Sequence, residues 1–253
     1  MLPLPHRPVL NPAPMPNVRK LIVPDKGRLI LEADLSQADA QVVAWDSGDE
    51  ALKEIFKQGL SLHYENATEM YGKRPPNDKH EDYKHAKAGV HATNYGVGAA
   101  KLAKTLNITK GQAQRFIDLW FRLHPDIKKW QDNIQTQLQI NQTICNAFGF
   151  CIRFNGRIDQ LFTNALAWIP QSTVGIVIDT AMLNMEKYLP DCPLSLQVHD
   201  SLVFQVWEKD YPAIIPEIKK QFQILIPYDD PLIIPGHLKV SDKSWGDCEK
   251  VEW

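Results

Sequence analysis

The sequence predicts an α+β fold, in which an antiparallel β-sheet is joined to a mostly helical subdomain. Two β segments far apart in the chain predict the sheet: an apolar run at 29–31, and two apolar strands that flank the tight segment 199–201. Between these segments, apolar residues recur at helical spacing. With 253 residues, of which 44% are hydrophobic, the chain can bury a core in one large or two small domains.

The first β segment leads directly to a carboxylate. Asp34 stands where the strand is expected to end, and the small polar pair Ser36 and Gln37 follows it. In the second segment, Asp200 stands in the turn of the predicted hairpin. An aspartate in such a place is a metal ligand or a cap, but a shared sheet would bring both carboxylates to one pair of hard cations. The two segments together therefore predict a metal site.

A helix with a polar face is predicted over residues 83–98, with a break near Gly96. At roughly 100° per residue, two cations and then two aromatic rings fall within about an 80° arc of this helix. These residues are Lys84, Lys87, His91 and Tyr95. Because cations hold phosphates and rings contact sugars and bases, the face suits a nucleoside triphosphate.

The remaining elements follow from capping and turn signals. Thr109 and Gln112 predict a capping box for a helix that Pro125 ends, and the apolar residues of this helix and the next are expected to be core. Asn155–Gly156 predicts the turn of a β-hairpin over residues 142–162. Further helices are predicted over 47–56, 60–71, 172–189 and 211–224, and a further strand over 233–240. The first 16 residues contain six prolines and are expected to be extended.

The charges are unevenly distributed, although the net charge is only −2. Residues 71–110 hold eight Lys or Arg against three Asp or Glu, whereas residues 186–230 hold eight acids against four bases. This polarity favours a cationic lobe that binds a triphosphate, opposite an acidic lobe that binds metal. Chance clustering of solvated surface charges is the alternative.

Cysteine usage and hydropathy predict the compartment. The four cysteines include no CxxC pair, so neither a zinc knuckle nor a disulfide framework is expected, which fits a reducing cytoplasm. No apolar run approaches about 18 residues, and no charged region precedes an apolar one at the N-terminus. A cytoplasmic protein without a membrane partner is therefore expected.

Three short motifs occur in a recognisable order. They are Asp34-Leu35-Ser36-Gln37, Lys87-x3-His91-x3-Tyr95-Gly96 and Gln197-Val198-His199-Asp200. Their order and spacing resemble motifs A, B and C of the family A DNA polymerases, the bacterial repair polymerase and its phage relatives. The stretches 106–127 and 168–182 are similar as well, and the likeness runs from about Asn11 to Trp245.

The resemblance implies a domain organisation. Residues 19–45 and 141–253 would form a polymerase palm around the antiparallel sheet, and residues 46–140 would form the helical fingers, behind a proline-rich segment at 1–18. The thumb, the first part of the palm and any exonuclease would be absent from this chain. A fragment, or a polymerase split between two polypeptides, is therefore expected, with a second polypeptide supplying the thumb and the N-terminal palm.

The resemblance also implies a reaction, which is the template-directed transfer of a dNTP to a primer 3′-hydroxyl with two Mg²⁺ ions, or Mn²⁺ in their place. The implied catalytic residues are Asp34, Asp200 and Lys87. Both aspartates and the backbone carbonyl of Leu35 would hold the metal. The implied nucleotide-binding residues are Ser36, Gln37, Asp39, His63, Lys84, Lys87, His91 and Tyr95. The implied primer–template residues are Gly96, Gln171 and His199.

Two of these assignments have ordinary alternatives. His63, near the start of a predicted helix, could be a surface or capping residue instead of a triphosphate contact. Gln171 could be a simple polar residue at a helix N-terminus instead of a minor-groove contact. At the level of the whole chain, a single-subunit RNA polymerase and a non-catalytic polymerase-like subunit are the competing interpretations.

Four positions depart from the family pattern. Asp39 replaces a longer glutamate and His91 replaces the usual aromatic residue, so weaker exclusion of ribonucleotides is expected. Tyr83 stands where the family usually has a phosphate-binding arginine, for which Lys84 next to it is expected to compensate. Ser201 replaces a glutamate after the motif C aspartate.

Overall fold

The computed structural model describes residues 17–253, except for the side chains of residues 158–160. The prediction for the proline-rich start therefore lies mostly outside the described residues. The helices of the described part are α1 (Ala38–Ser47), α2 (Glu50–Lys57), α3 (Leu62–Tyr71), α4 (Glu81–Asn94), α5 (Ala99–Leu106), α6 (Lys110–Leu123), α7 (Pro125–Asn141), α8 (Ile158–Tyr188) and α9 (Ile215–Gln221). Its strands are β1 (Arg28–Leu35), β2 (Thr143–Cys145), β3 (Cys151–Arg153), β4 (Leu194–Val198), β5 (Ser201–Trp207), β6 (Leu225–Ile226), β7 (Leu232–Ile233), β8 (Gly236–Ser241) and β9 (Glu249–Val251).

Five strands form the central antiparallel sheet, in the order β4-β5-β1-β8-β9. Successive side chains of β1 point to opposite faces. Leu31, Ala33 and Leu35 belong to the main hydrophobic core on one face. Ile30 belongs to a smaller cluster with Val203 and Trp245, on the face that also carries Asp34. The predicted shared sheet is therefore present, and it is covered on one side and partly open on the other.

The helical part is anchored around the end of α4. The predicted break near Gly96 is confirmed, because α4 ends at Asn94 and Gly96 adopts a left-handed backbone with φ +71°. The indole Nε1 of Trp120 donates to the Asn94 side chain at 3.0 Å, and the amide of Gln131 donates to the Asn94 carbonyl at 3.0 Å. A Cβ atom on Gly89 would lie 2.4 Å from the ring of Phe116, so α4 packs very closely on α6. These contacts fix the position of α4.

Helix α8 is longer than predicted. It begins at Ile158 instead of residue 172 and continues through Pro170. An internal proline costs about 3 kcal/mol or more because it removes a backbone hydrogen bond. Ala165, Leu166 and Ile169 are buried ahead of the proline, and this burial offsets that cost. Gln171 consequently lies inside the helix and does not open it.

By length and composition alone, α8 is the one helix of the described part that could cross a membrane, over Leu161–Tyr188. This segment is not one unbroken apolar run in the sequence, because polar residues such as Gln171 and Asp179 interrupt it. Core helices pass the same test, which makes it weak support for a membrane span. Here α8 packs against α1, α7 and the central sheet.

The predicted hairpin after α7 has a different turn. Strands β2 and β3 pair around residues 146–149, and Asn155–Gly156 instead leads into α8. Two features make the earlier turn. The side-chain oxygen of Asn146 accepts hydrogen bonds from the backbone N–H groups of Phe148 and Phe150, each at 3.1 Å. Gly149 supplies the left-handed residue, with φ +76°.

The expectation of no disulfide is wrong. Cys145 and Cys151 face each other directly across the β2–β3 hairpin, with their Cα atoms 4.0 Å apart, and they form a disulfide. The absence of a CxxC pair does not exclude this disulfide, because a hairpin brings residues six positions apart into register. The cysteine argument for a reducing compartment therefore no longer holds.

Several other boundaries differ from the predictions. Helix α1 was not predicted, because it is buried around most of its circumference and lacks an amphipathic period. The predicted helix 211–224 is shorter, since it is regular only over α9. The predicted strand 233–240 is divided between β7 and β8 by Pro235, which has no N–H group for the ladder. The capping box at Thr109 and Gln112 is confirmed.

Candidate active site

Asp34 and Asp200 meet at one end of the central sheet. In the β1–β5 pairing, Asp34 lies directly opposite Ser201, the neighbour of Asp200. The backbone N–H of Leu35 donates to the carbonyl oxygen of Asp200 at 3.1 Å, which ties the two segments together. Burial, and next the charge of Asp200, raise the pKa of Asp34 to about 6. Burial also raises the pKa of Asp200. Two half-buried carboxylates thus lie near each other and repel.

A tight turn presents Asp200. His199 adopts a left-handed backbone with φ +53°, and the hydroxyl of Ser201 donates to the Val198 carbonyl at 2.9 Å. The Ser201 side chain therefore closes the turn and does not add a charge to the site. His199 lies in this turn, next to the aspartate.

The donor set fits a magnesium ion. In the part of the chain that the structure describes, no group of three or more His, Cys, Asp or Glu side chains could hold a metal. The site therefore offers two carboxylates and nearby backbone carbonyls. Magnesium usually takes one or two carboxylates together with water and substrate phosphates. The mutual repulsion of Asp34 and Asp200 is the electrostatic condition that a bound cation would relieve.

The polar face of α4 carries a cation that acts on one of these carboxylates. Lys84, Lys87 and His91 are exposed on it. Lys87 opposes the rise in the pKa of Asp200 that burial causes. After burial itself, Lys87 also contributes to the lowered pKa of His63. The ammonium group of Lys87 is therefore near enough to both the Asp200 carboxylate and the His63 ring to influence the pKa of each.

Tyr95 differs from the other residues of the predicted face because it is buried. Its hydroxyl donates to Oδ2 of Asp39 at 2.6 Å, and its ring lies edge-on to His91 with the ring centroids 4.4 Å apart. Burial, and next the Asp39 carboxylate, raise the pKa of Tyr95, so this group remains a neutral donor. Asp39, His91 and Tyr95 thus form one connected wall of the site.

His63 is a buried, neutral imidazole. Burial, and next Lys87 and His91, lower its pKa to about 4. It does not cap α3, since the N-cap residue of that helix is Ser61. Its Nδ1 atom is buried without a hydrogen-bond partner among the described residues. Such an atom usually has a partner, so its orphan state favours a ligand or water at this position.

Tyr83 is part of an aromatic cluster. Its ring centroid lies 4.6 Å from that of Tyr64 and 5.8 Å from that of His63. The guanidinium of Arg74 stacks on the Tyr64 ring, 4.6 Å from its centroid. This contact was not predicted, because Arg74 lies in a loop that follows no periodic pattern. Lys84 is exposed beside the cluster.

Other predicted residues have clear structural contacts. The side-chain oxygen of Gln37 accepts from the backbone N–H of Leu62 at 3.1 Å, at the start of α3. The N–H of Ser36 donates to the Pro235 carbonyl at 2.8 Å. A Cβ atom on Gly96 would lie 3.0 Å from Leu166. Gln171 is exposed on α8.

The fold matches a known polymerase domain. The structure resembles the POL domain of Pol1 from M. smegmatis, solved in complex with DNA primer-template and dNTP, with a TM-score of 0.79 and 22% identity. The match covers 95% of this chain and 45% of that one. The mixed helical and antiparallel architecture is therefore the fold of that POL domain.

The sequence comparisons give the family. The sequence model of DNA polymerase family A matches residues 8–245. DNA polymerase I of Lactococcus lactis strain IL1403 is 29% identical over 249 residues, covering 92% of this chain and 28% of that protein. The thermostable DNA polymerase I of Thermus filiformis is 29% identical over 224 residues, covering 85% and 27%. The chain belongs to DNA polymerase family A, and it spans just over a quarter of the length of these relatives.

Proposed function

We propose that this chain carries the nucleotidyl-transfer site of a DNA-directed DNA polymerase. The observation that carries the proposal is the convergence of Asp34, at the end of β1, and Asp200, in the turn before β5, together with the influence of Lys87 of α4 on Asp200. Phosphoryl transfer requires alignment of an acceptor hydroxyl with a phosphorus atom and stabilisation of the charge on the departing phosphates. The two faces of the site supply these requirements separately.

The carboxylates would hold two divalent ions. Asp34 and Asp200 supply the charged oxygens, and the backbone carbonyl of Leu35 is the proposed further ligand. Magnesium, or manganese in its place, would lower the pKa of the primer hydroxyl and neutralise charge on the phosphates. The geometry of Ser201 supports a site with two aspartates and no third acid.

The cationic face would bind the triphosphate. Lys87 is exposed and close enough to influence both Asp200 and His63, so its ammonium can contact the β and γ phosphates and donate a proton to the leaving pyrophosphate. The unpartnered Nδ1 of His63 supports a second contact from the neutral ring. Lys84 is the third proposed phosphate contact.

The remaining predicted residues would bind the sugar, the base and the duplex. Asp39, His91 and Tyr95 form the proposed wall at the sugar, and the turns at Ser36 and Gln37 position that wall. Gly96, Gln171 and His199 are the proposed primer–template contacts. Movement of α4 toward the carboxylates when the correct nucleotide binds would assemble the site.

The matched relatives carry further sequence outside the part that this chain covers. We therefore propose a palm at 19–45 and 141–253, fingers at 46–140, and a requirement for thumb and N-terminal palm segments from outside these residues. A separate polypeptide that supplies those segments stays part of the proposal. A cytoplasmic location also stays a proposal, in line with the bacterial relatives.

Extension of a labelled primer on a DNA template tests the function. The protein is assayed together with any polypeptide that co-purifies with it, with Mg²⁺ or EDTA, and with dNTPs or NTPs. Template-directed extension that needs both Mg²⁺ and dNTPs is expected. Duplex binding without extension would favour a non-catalytic polymerase-like subunit, and a preference for NTPs would favour a single-subunit RNA polymerase.

A further inference from the structure

A second group of cations lies on the sheet, away from α4. Strand β8 pairs with β1 so that His237 lies opposite Asp34 and Lys239 lies opposite Glu32. Strand β9 pairs with β8 so that Lys250 lies opposite Lys239. Residues that face each other across antiparallel strands project to the same side of the sheet. His237, Lys239 and Lys250 therefore share the face of Asp34, and we call these three the β8–β9 basic group. Burial, and next Lys250 and Lys239, lower the pKa of His237, so the two lysines supply the positive charge of this group.

Neighbouring acids neutralise this basic group only in part. The ammonium of Lys239 donates to Glu32 at 2.7 Å, but Glu32 also pairs with Arg19 at 3.7 Å. Lys250 is exposed, and no acid in the described part of the chain forms an ion pair with it. Like charges directly opposite each other destabilise a sheet. An anion over the two lysines would remove that repulsion.

The two cationic groups act on different carboxylates. Burial raises the pKa of Asp34, and Lys239 and Lys250 oppose that rise. For Asp200, the lysine that opposes the effect of burial is Lys87 of α4. Nucleotidyl transfer brings two anionic chains to one metal site, namely the triphosphate and the backbone of the acceptor strand. With α4 assigned to the triphosphate, the β8–β9 basic group is left for the acceptor.

We propose that the β8–β9 basic group binds backbone phosphates of the primer strand just upstream of its 3′ end. Adjacent strands lie about 4.8 Å apart, so β8 and β9 carry the two ammonium groups one and two strand spacings from β1. Lys250 lies in the closing strand β9, after residue 245, where the match to the family model ends. This inference rests on the proposed function.

The salt dependence of duplex binding tests the proposal. A labelled primer–template is titrated at 50–200 mM salt with the parent protein and with Lys250→Gln, Lys250→Arg and Lys209→Gln. Each phosphate contact contributes about 0.9 to the slope of log affinity against log salt. Lys250→Gln is expected to lower the slope by about that amount and to weaken binding severalfold. Lys250→Arg should retain the parent slope.

Lys209 provides the matched control. It is exposed and follows the far end of β5 from Asp200, so Lys209→Gln should leave the slope unchanged. Because Lys250 is exposed, its substitution should not disturb folding. Lys239→Gln provides a second measurement of the salt slope, in a variant where Arg19 still pairs with Glu32.

Three results would overturn the proposal. The first is a parent protein that binds no duplex, and the second is a slope for Lys250→Gln that equals that of the parent. The third is a raised KM of Lys250→Gln for dNTP with unchanged duplex affinity. That result would assign the basic group to the triphosphate or pyrophosphate. Failure of the proposed function is distinguishable from failure of this inference. In that case the slopes of the parent and of Lys250→Gln would still differ, but the parent would extend no primer.

Discussion

The hydroxyl of Tyr95 donates a 2.6 Å hydrogen bond to Oδ2 of Asp39, and this bond joins the end of α4 to the first turn of α1. Asp39 is therefore held at the site by a neutral donor that does not ionise in the working pH range. A carboxylate with a longer side chain would reach further into the space beside the sugar. The length of this side chain is thus a candidate determinant of sugar selection.

We predict weak exclusion of ribonucleotides, which Asp39→Glu should strengthen. One methylene in a binding pocket is worth roughly 10- to 200-fold in discrimination. Single-nucleotide insertion with dNTP and the matching NTP measures the ratio of kcat/KM values, and an increase of about tenfold is expected for Asp39→Glu. The prediction would be contradicted if the parent protein discriminated against ribonucleotides as strongly as a relative with glutamate at this position.

Lys87 and Lys84 should differ in their effects on nucleotide use. Charge-assisted hydrogen bonds to phosphate are worth about 1.5–3 kcal/mol, so Lys87→Ala should lower kcat/KM for dNTP by at least about tenfold, mainly through kcat. Lys84→Ala should raise KM by a smaller factor, with kcat nearly unchanged. Steady-state kinetics separate the two. No rise in KM for Lys84→Ala would remove the compensation proposed for Tyr83.

The burial of Asp34, and next its repulsion by Asp200, should destabilise the protein at neutral pH in the absence of metal. The pKa of Asp34 is raised from 3.8 to about 6, so the native state binds more protons than the unfolded state between these values. The free energy of unfolding contributed by this group therefore falls as pH rises from about 4 to about 6, and stays low above.

Asp34→Asn should consequently be more stable than the parent at pH 7.5, by about 1 kcal/mol after allowance for partial exposure. The gain should vanish below pH 4, and Mg²⁺ should reduce it by stabilising the parent alone. Urea unfolding with and without Mg²⁺ measures the difference, with the exposed Asp242→Asn as a control. Equal stabilities at pH 7.5 without metal would argue against a raised pKa of Asp34 in the native state.

The sequence predicted those parts of the site that depend on local patterns. Asp34 and Asp200 follow short apolar runs that predict strands, and the break at Gly96 has the backbone freedom of glycine. Contacts across elements were not predictable in the same way. Lys239 and Lys250 meet through strand register, and Cys145 meets Cys151 through a turn that Asn146 specifies.

Burial explains most of the remaining differences. Helix α1 has no polar face to reveal a period, because it is surrounded by other elements. The helix was predicted to begin at residue 172, yet the apolar residues before Pro170 are buried and belong to the same helix. The neutral state of His63 likewise depends on the packing of α3 against α4, which no local pattern encodes.

Primer extension by Asp34→Asn and Asp200→Asn, measured beside the parent under identical conditions with Mg²⁺, tests the central assignment most directly. Each substitution keeps the size of the side chain and removes the charge that would hold the metal. We expect incorporation to be abolished while the affinity for primer–template stays within a small factor of the parent value. Incorporation within about tenfold of the parent by either variant would contradict the two-carboxylate site.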